Sequence, residues 1–192
     1  MAHLKFDVNK LERLNDPGRF ETLDPAVMWA ALGSPDPAVI VDIGAGTGLF
    51  AARFTELAPH ATVYAVDTED VMLAWMRENR PEVAEGKIVL VKGEETKVPL
   101  PDDFAGLVTM INLHHEFADK DASYAEVFRL TKPGGQVLVV DWRPGDSPKG
   151  PPQELRATAD ELEAYLERAG FVRVRSHVGL QWANLVTAER ED

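Results

Sequence analysis

A chain of 192 residues with 45% hydrophobic and 27% charged side chains has the balance of one globular domain with a single substantial core. Its 20 basic and 32 acidic residues leave a net charge of −12, and no basic cluster offsets it. That excludes nucleic acid and anionic membrane surfaces as partners and favours a small molecule. With no cysteine, disulfides, thiolate metal sites and cysteine nucleophiles are ruled out, and no metal site is expected. No apolar run is long enough to span a bilayer, and Met1 to Asp7 lacks a signal-peptide core, so a cytoplasmic protein is expected, as monomer or homodimer.

From about Lys10 to Gly33 the pattern is helical, broken at Asp16-Pro17-Gly18 and restarted by the capping pair Asp24-Pro25. Residues 1–34 are expected as a helical cap or lid, and residues 35–192 as the main domain. After the loop Ser34 to Pro37, the β-branched run Val39 to Ile43 predicts a buried strand, and Leu49 to Leu57 a helix. Alternation then repeats. A second strand, Thr62 to Val66, ends at Asp67, and Val71, Met72, Trp75 and Met76 mark one face of the next helix. Ile88 to Val91 and Gly106 to Ile111 are the third and fourth strands, and a helix over Ala122 to Thr131 follows. Lys132 to Gly135 reads as a turn and Gln136 to Asp141 as the fifth strand. The Pro/Gly-rich stretch Pro144 to Pro152 is long for a mere connection. Thr158 to Glu161 opens a helix that stops at Gly170, and Val172 to Val178 with Trp182 to Thr187 can form an antiparallel hairpin. The whole predicts an α/β fold, a doubly wound Rossmann-like sheet with helices on both faces.

In such a sheet ligands bind beyond the carboxyl ends of the strands. The first strand supplies Asp42 and a turn with glycines at Gly44, Gly46 and Gly48 around Ala45, bare enough for a ligand to meet main-chain amides. The second ends at Asp67 and Thr68, where an acceptor-only carboxylate can hold two ribose hydroxyls. The third offers Glu94 and Glu95 to an adenine amino group, and the fourth ends in Asn112-Leu113-His114-His115-Glu116. A lone Gly-rich turn or a strand-end acid is commonly structural; the ordered set on successive strands is what points to a nucleotide-like ligand.

Asp42 to Gly48, Asp67, Gly93-Glu94-Glu95 with Val98 to Pro101, and Leu130 to Gly135 together resemble class I S-adenosylmethionine-dependent methyltransferases, and within them the methyltransferase type 11 group. The resemblance covers about residues 35 to 190 and implies a seven-stranded sheet with its last strand antiparallel. It implies Gly44, Ala45 and Gly46 against the methionine part of S-adenosylmethionine and Asp67 on the ribose. It also implies Met72 at the adenine face, Glu94 or Glu95 near the adenine, and the main chain at Asn112 near the cofactor's amino group.

Methyl transfer needs a general base only when the nucleophile arrives protonated. His115 is the first candidate, Glu116 orients it or acts itself, and His114 competes or contacts the acceptor. Trp142 is a candidate apolar wall for the acceptor, Arg156 a candidate anion contact, and Arg19 and Phe20 reach the site if the segment Phe6 to Phe20 folds over it. Two alternatives stand beside this expectation: a non-catalytic S-adenosylmethionine-binding module, and an NAD-dependent oxidoreductase, disfavoured by Leu49 where a dinucleotide fingerprint needs glycine. The absence of cysteine rules out thiolate-dependent acceptors such as arsenic; O-, N-, S- and C-methylation stay open.

Overall fold

The computed structural model describes residues 8–191. Seven strands form one sheet: β1 Val39–Ile43, β2 Thr62–Asp67, β3 Ile88–Lys92, β4 Ala105–Ile111, β5 Thr131–Trp142, β6 Val172–His177 and β7 Ala183–Glu189. Their order is β3-β2-β1-β4-β5-β7-β6, parallel except that β7 runs antiparallel between β5 and β6. The helices are α1 Val8–Leu14, α2 Pro25–Ala31, α3 Leu49–Leu57, α4 Asp70–Asn79, α5 Pro81–Ala84, α6 Lys120–Leu130 and α7 Ala159–Ala169, joined by single 3-10 turns at Pro17–Glu21, His114–Glu116 and Gln153–Leu155. None of the helices among the described residues is long and apolar enough to cross a membrane.

Because side chains alternate along a strand, each central strand feeds two cores. Ile40, Val63, Ala65, Leu107, Leu138 and Leu185 pack with Met28, Phe50, Phe54 and Met76 from α2, α3 and α4. Val41, Val66, Val108, Val137, Val139 and Val186 pack with Tyr124, Val127, Leu162 and Leu166 from α6 and α7. Burial on both faces explains the near-continuous apolar runs of β1 and β4. It also fixes the register Ile40↔Leu107 and Asp42↔Thr109 that sets the site's geometry.

Local chemistry starts and stops the helices where the sequence says. The Asp24 carboxylate accepts from the Ala26 amide at 2.8 Å with Pro25 in the first turn, and Thr158 and Glu161 form a reciprocal capping box on α7. Two element starts differ from expectation by two residues or more. Helix α6 begins at Lys120 because the Asp119 side chain caps the Ala122 amide. Lys132 to Gly135 turn within β5 rather than before it. The register jumps from Ala105↔Thr131 to Leu107↔Gln136, and Gly134 and Gly135 bond Arg190 through N–H···O contacts of 2.9 Å each. Such a bulge inserts extra residues into one strand, which bends locally where the ladder is interrupted.

Candidate active site

The Gly-rich turn lies between β1 and α3, with Gly44, Gly46 and Gly48 all at positive φ, the region that disfavours side chains. Ala45 donates its amide to the Val66 carbonyl (3.0 Å), and the Gly46 amide donates to Asp67 Oδ2 (2.7 Å). The other Asp67 oxygen accepts from the Glu69 amide at 2.9 Å. Burial raises the Asp67 pKa above the ordinary carboxylate value, and these two amides pull the other way.

Asp42, only 2% exposed, accepts from Thr109 Oγ1 at 2.7 Å across the β1–β4 register. Burial, reinforced by the neighbouring Asp67, pushes its pKa up to about 7, against the pull of Thr109 and Arg19. Arg19 lies over the Phe50 ring at 5.0 Å and donates to the Leu14 carbonyl at 2.9 Å; burial lowers its pKa to about 10. Phe20 meets Phe50 edge-on at 5.5 Å. Arg19 and Phe20 therefore pack on Phe50 of α3, the helix after the Gly-rich turn; Phe6 lies outside the described residues.

The second half of the site is at the ends of β4 and β5. Asn112, at positive φ, donates its amide to the Val140 carbonyl (2.7 Å). The adjacent 3-10 turn brings His115 Nδ1 to 2.8 Å from Asp141 Oδ1, while the His115 amide reaches the other oxygen at 3.4 Å. The Asp141 side chain is fully buried and that of His115 is 12% exposed. A carboxylate only accepts, so Nδ1 carries the proton and Nε2 is left as the acceptor nitrogen. Glu116 Oε1 is 3.9 Å from that Nε2.

Three sequence candidates have partners within the protein itself. His114 is 2% exposed, in an aromatic cluster with Tyr124 and Tyr165, its Nδ1 at 3.0 Å from the Tyr124 hydroxyl. Burial pushes its pKa down to about 4, so it stays neutral and faces the core between α6 and α7 rather than an acceptor. Of the two glutamates after β3, Glu95 is engaged on the Ala118 and Asp119 amides at 2.6 and 3.0 Å, which ties it to the start of α6. Glu94 is paired through its backbone with Lys97, and its side chain is exposed. Arg156 binds four oxygen atoms of its own loop instead of standing open to an anion, and its guanidinium lies over the half-buried Trp142 ring at 5.8 Å. Thr68 is exposed beside Asp67, and Met72 is buried in α4.

Sequence reasoning did not pick out three residues. Asp141 was visible as a strand-end acid, but its pairing with His115 needs the neighbourhood of β4 and β5. Thr47, inside the glycine motif, has a buried Oγ1 with no partner. Arg80 donates to the Thr47 carbonyl at 2.8 Å and to Asn15 Oδ1, tying the loop to the segment after α1.

The residues present fit S-adenosylmethionine. A cofactor with a positive sulfur and several hydroxyl and amino donors needs acceptors and negative charge, which Asp42 and Asp67 supply. Asn112 Oδ1 and Thr47 Oγ1 are buried polar atoms awaiting a partner. Around the place a Cβ would occupy on Gly46, only Leu14 Cδ1 comes within 4 Å among the described residues, at 3.8 Å, so the backbone there is open to a ligand. A family model described as a methyltransferase domain matches residues 41–139. The chain belongs to that family. It is an S-adenosylmethionine-dependent methyltransferase.

A solved structure of an S-adenosylmethionine-dependent methyltransferase from Aquifex aeolicus superposes with TM-score 0.87 at 29% identity, covering 96% of this chain and 99% of that one. The chain is also 28% identical over 165 residues to a ubiquinone/menaquinone biosynthesis C-methyltransferase of Cupriavidus necator, covering 74% of this chain and 67% of the relative. A malonyl-[acyl-carrier protein] O-methyltransferase of Methylococcus capsulatus is 30% identical over 154 residues, covering 73% of this chain. The chain spans about half of that relative's length, 54%. The methyltransferase's seven-stranded sheet with an antiparallel β7 agrees with the family resemblance carried by its sequence motifs.

Proposed function

We propose that this methyltransferase alkylates a small, neutral acceptor bearing an ionisable hydroxyl, with His115 as general base. S-adenosylmethionine supplies a methyl group on a positively charged sulfur, so the leaving group needs no help from the protein. The chain's own residues have three tasks: hold the cofactor, exclude water and remove the acceptor's proton. Asp67, the Gly44 to Gly48 loop and Asp42 do the first. Glu94, Met72, Thr68 and Asn112 complete the cofactor set.

His115 does the last. Asp141 fixes its proton on Nδ1 and stabilises the imidazolium that forms when Nε2 takes the hydroxyl proton. The deprotonated oxygen would then bond to the methyl carbon as the sulfur–methyl bond breaks, its electron pair staying on sulfur and neutral S-adenosylhomocysteine leaving. A base of this kind has no task with a carboxylate acceptor, which is already ionised at neutral pH. Acids also dominate this end: Asp141 and Glu116 flank His115, and Arg156 is occupied by its own loop. A neutral acceptor fits such surroundings better than an anionic one. Trp142 is the aromatic wall nearest the pair in sequence. The single observation that carries the proposal is the His115 Nδ1···Asp141 Oδ1 contact at the carboxyl edge of the sheet.

The test uses methyl-labelled S-adenosylmethionine with a panel of phenols, dihydroxybenzenes, amines and carboxylic acids. Label is expected in hydroxyl-bearing rings, with transfer slowed in His115→Asn. Transfer confined to carboxylic acids, or a wild-type rate in His115→Asn, would overturn it.

A further inference from the structure

Arg80 grips the glycine turn from the end of α4. Its amide donates to the Met76 carbonyl at 2.9 Å, and Pro81 behind it keeps its backbone extended, at φ −104 and ψ 107. Its carbonyl accepts from the Val83 amide at 3.1 Å, so the side chain springs from a fixed anchor. The guanidinium lies over the Trp75 ring at 5.3 Å and divides between two oxygens. Nε donates to the Thr47 carbonyl at 2.8 Å, and Nη2 donates to Asn15 Oδ1.

The first contact bears on the turn itself. The Thr47 carbonyl and the Gly48 amide belong to one planar peptide unit, and that amide donates to the Ala45 carbonyl at 2.8 Å. The plane is therefore held at both ends. Thr47 sits between glycines at φ +57 and +69, residues with wide backbone freedom, so a fixed plane here limits how the turn can flex. Gly48 also lets α4 approach: a Cβ on it would stand 2.8 Å from Met76 Sδ and 3.6 Å from Arg80 Nε.

The second contact fastens a cover. Asn15 closes α1, its amide bonded to the Leu11 carbonyl at 2.9 Å. Its neighbour Leu14 borders the space over Gly46, with Cδ1 3.8 Å from the Cβ position there. Arg19 pins the same stretch from the other side. It donates to the Leu14 carbonyl at 2.9 Å while lying over Phe50 of α3. We propose that Arg80 is a positioning residue for S-adenosylmethionine, which clamps the Thr47–Gly48 peptide and, through Asn15, holds Leu14 as a cover on the bound cofactor. The proposal rests on the cofactor lying against the Gly44 to Gly48 turn. The cover lifts for the cofactor to enter or leave, so one contact governs both rates.

Rapid mixing of the whole chain with S-adenosylmethionine gives the association rate, and displacement by S-adenosylhomocysteine gives the dissociation rate. Both are read on tryptophan fluorescence, with Kd from calorimetry. Asn15→Ala unfastens the cover and leaves the Thr47 contact in place. Both rate constants are expected to rise together by roughly 10-fold, with Kd within about threefold of wild type. Arg80→Ala frees the turn as well, and Kd should weaken by roughly 10- to 100-fold, the range for loss of hydrogen bonds from a charged donor. Arg80→Lys keeps the charge but loses the planar fork that reaches both oxygens, and should weaken Kd in the same direction. Thermal melts identify any variant that is simply unfolded.

An association rate unchanged in Asn15→Ala would overturn the proposal, whatever happens to dissociation, because a contact that merely stabilises the bound state does not speed entry. A Kd within twofold of wild type in folded Arg80→Ala would overturn it too. The placement of the cofactor fails by a different observation: Gly46→Val would bind S-adenosylmethionine as wild type does.

Discussion

The two ends of this site are built on opposite plans. The proposed cofactor end is a contiguous turn on β1 with one acid on the adjacent β2, and its contacts are main-chain amides, as in the 2.7 Å bond from Gly46 to Asp67. The proposed acceptor end is assembled from side chains far apart in sequence: His115 after β4, Asp141 on β5 and a loop knotted by Arg156. The difference teaches where constancy and variation can reside. A turn that presents backbone to a ligand constrains residue type through φ and spacing. Side chains held by neighbouring loops can be exchanged without disturbing the sheet.

If the ends are separable, changes at one should leave the other intact. The largest effect is expected at Gly46, where φ is +57 and a β-branched side chain would both strain the backbone and fill the open cradle. Gly46→Val should abolish detectable calorimetric binding of S-adenosylmethionine while the His115 imidazole NMR signal stays at its wild-type position; binding within tenfold of wild type would break the comparison. Next, Asp141→Asn keeps shape but offers an amide where Nδ1–H needs an acceptor. It should lower kcat by roughly 10²–10⁴-fold with cofactor Kd unchanged, read by label transfer and calorimetry.

Asp42 gives a smaller and pH-dependent effect. Its folded pKa of about 7 stands above the ordinary 3.8, so between those pH values the folded protein holds a proton that the unfolded chain has lost. The stabilising contribution is complete below the lower value and is lost as pH rises to the upper one, at up to about 1.4 kcal/mol per pH unit. Cofactor-free Asp42→Asn should thus gain in Tm relative to wild type between pH 5 and pH 8. A cationic ligand favours the ionised acid, so wild type should release a proton on binding S-adenosylmethionine at pH 6, visible as a calorimetric heat that changes with buffer. The smallest effect separates the two glutamates. Glu95→Ala should lower stability by about 1 kcal/mol through the loss of its amide contacts at α6 while sparing cofactor Kd, whereas Glu94→Ala should weaken Kd and spare stability.

The same contrast explains how much could be read from the chain. Strand–turn–helix order, the Asp24 and Thr158 caps and the terminal hairpin are local signals, and each appears in the structure within a few residues of its expected place. The bulge at Lys132 to Gly135 was hidden because Pro-Gly-Gly also spells an ordinary turn; only pairing with Arg190 keeps it in the sheet. His114 and His115 are chemically identical in sequence. A single residue step around a 3-10 turn sends one into the Tyr124 cluster and the other to Asp141. Likewise nothing local tells whether a guanidinium faces a pocket or the carbonyls of its own loop, as Arg156 does. That is decided by the path of the chain from Gly145 to Pro151.

The most direct test is a single-turnover comparison of wild type and His115→Asn, both saturated with labelled S-adenosylmethionine, against the best hydroxyl-bearing acceptor of the panel. With His115 as the base, the variant binds cofactor as wild type does and transfers the methyl group at least about 100-fold more slowly, the range expected for loss of a general base. Transfer by the variant at the wild-type rate would contradict that role, and with it the division of the site into a backbone-built cofactor end and a side-chain-built catalytic end.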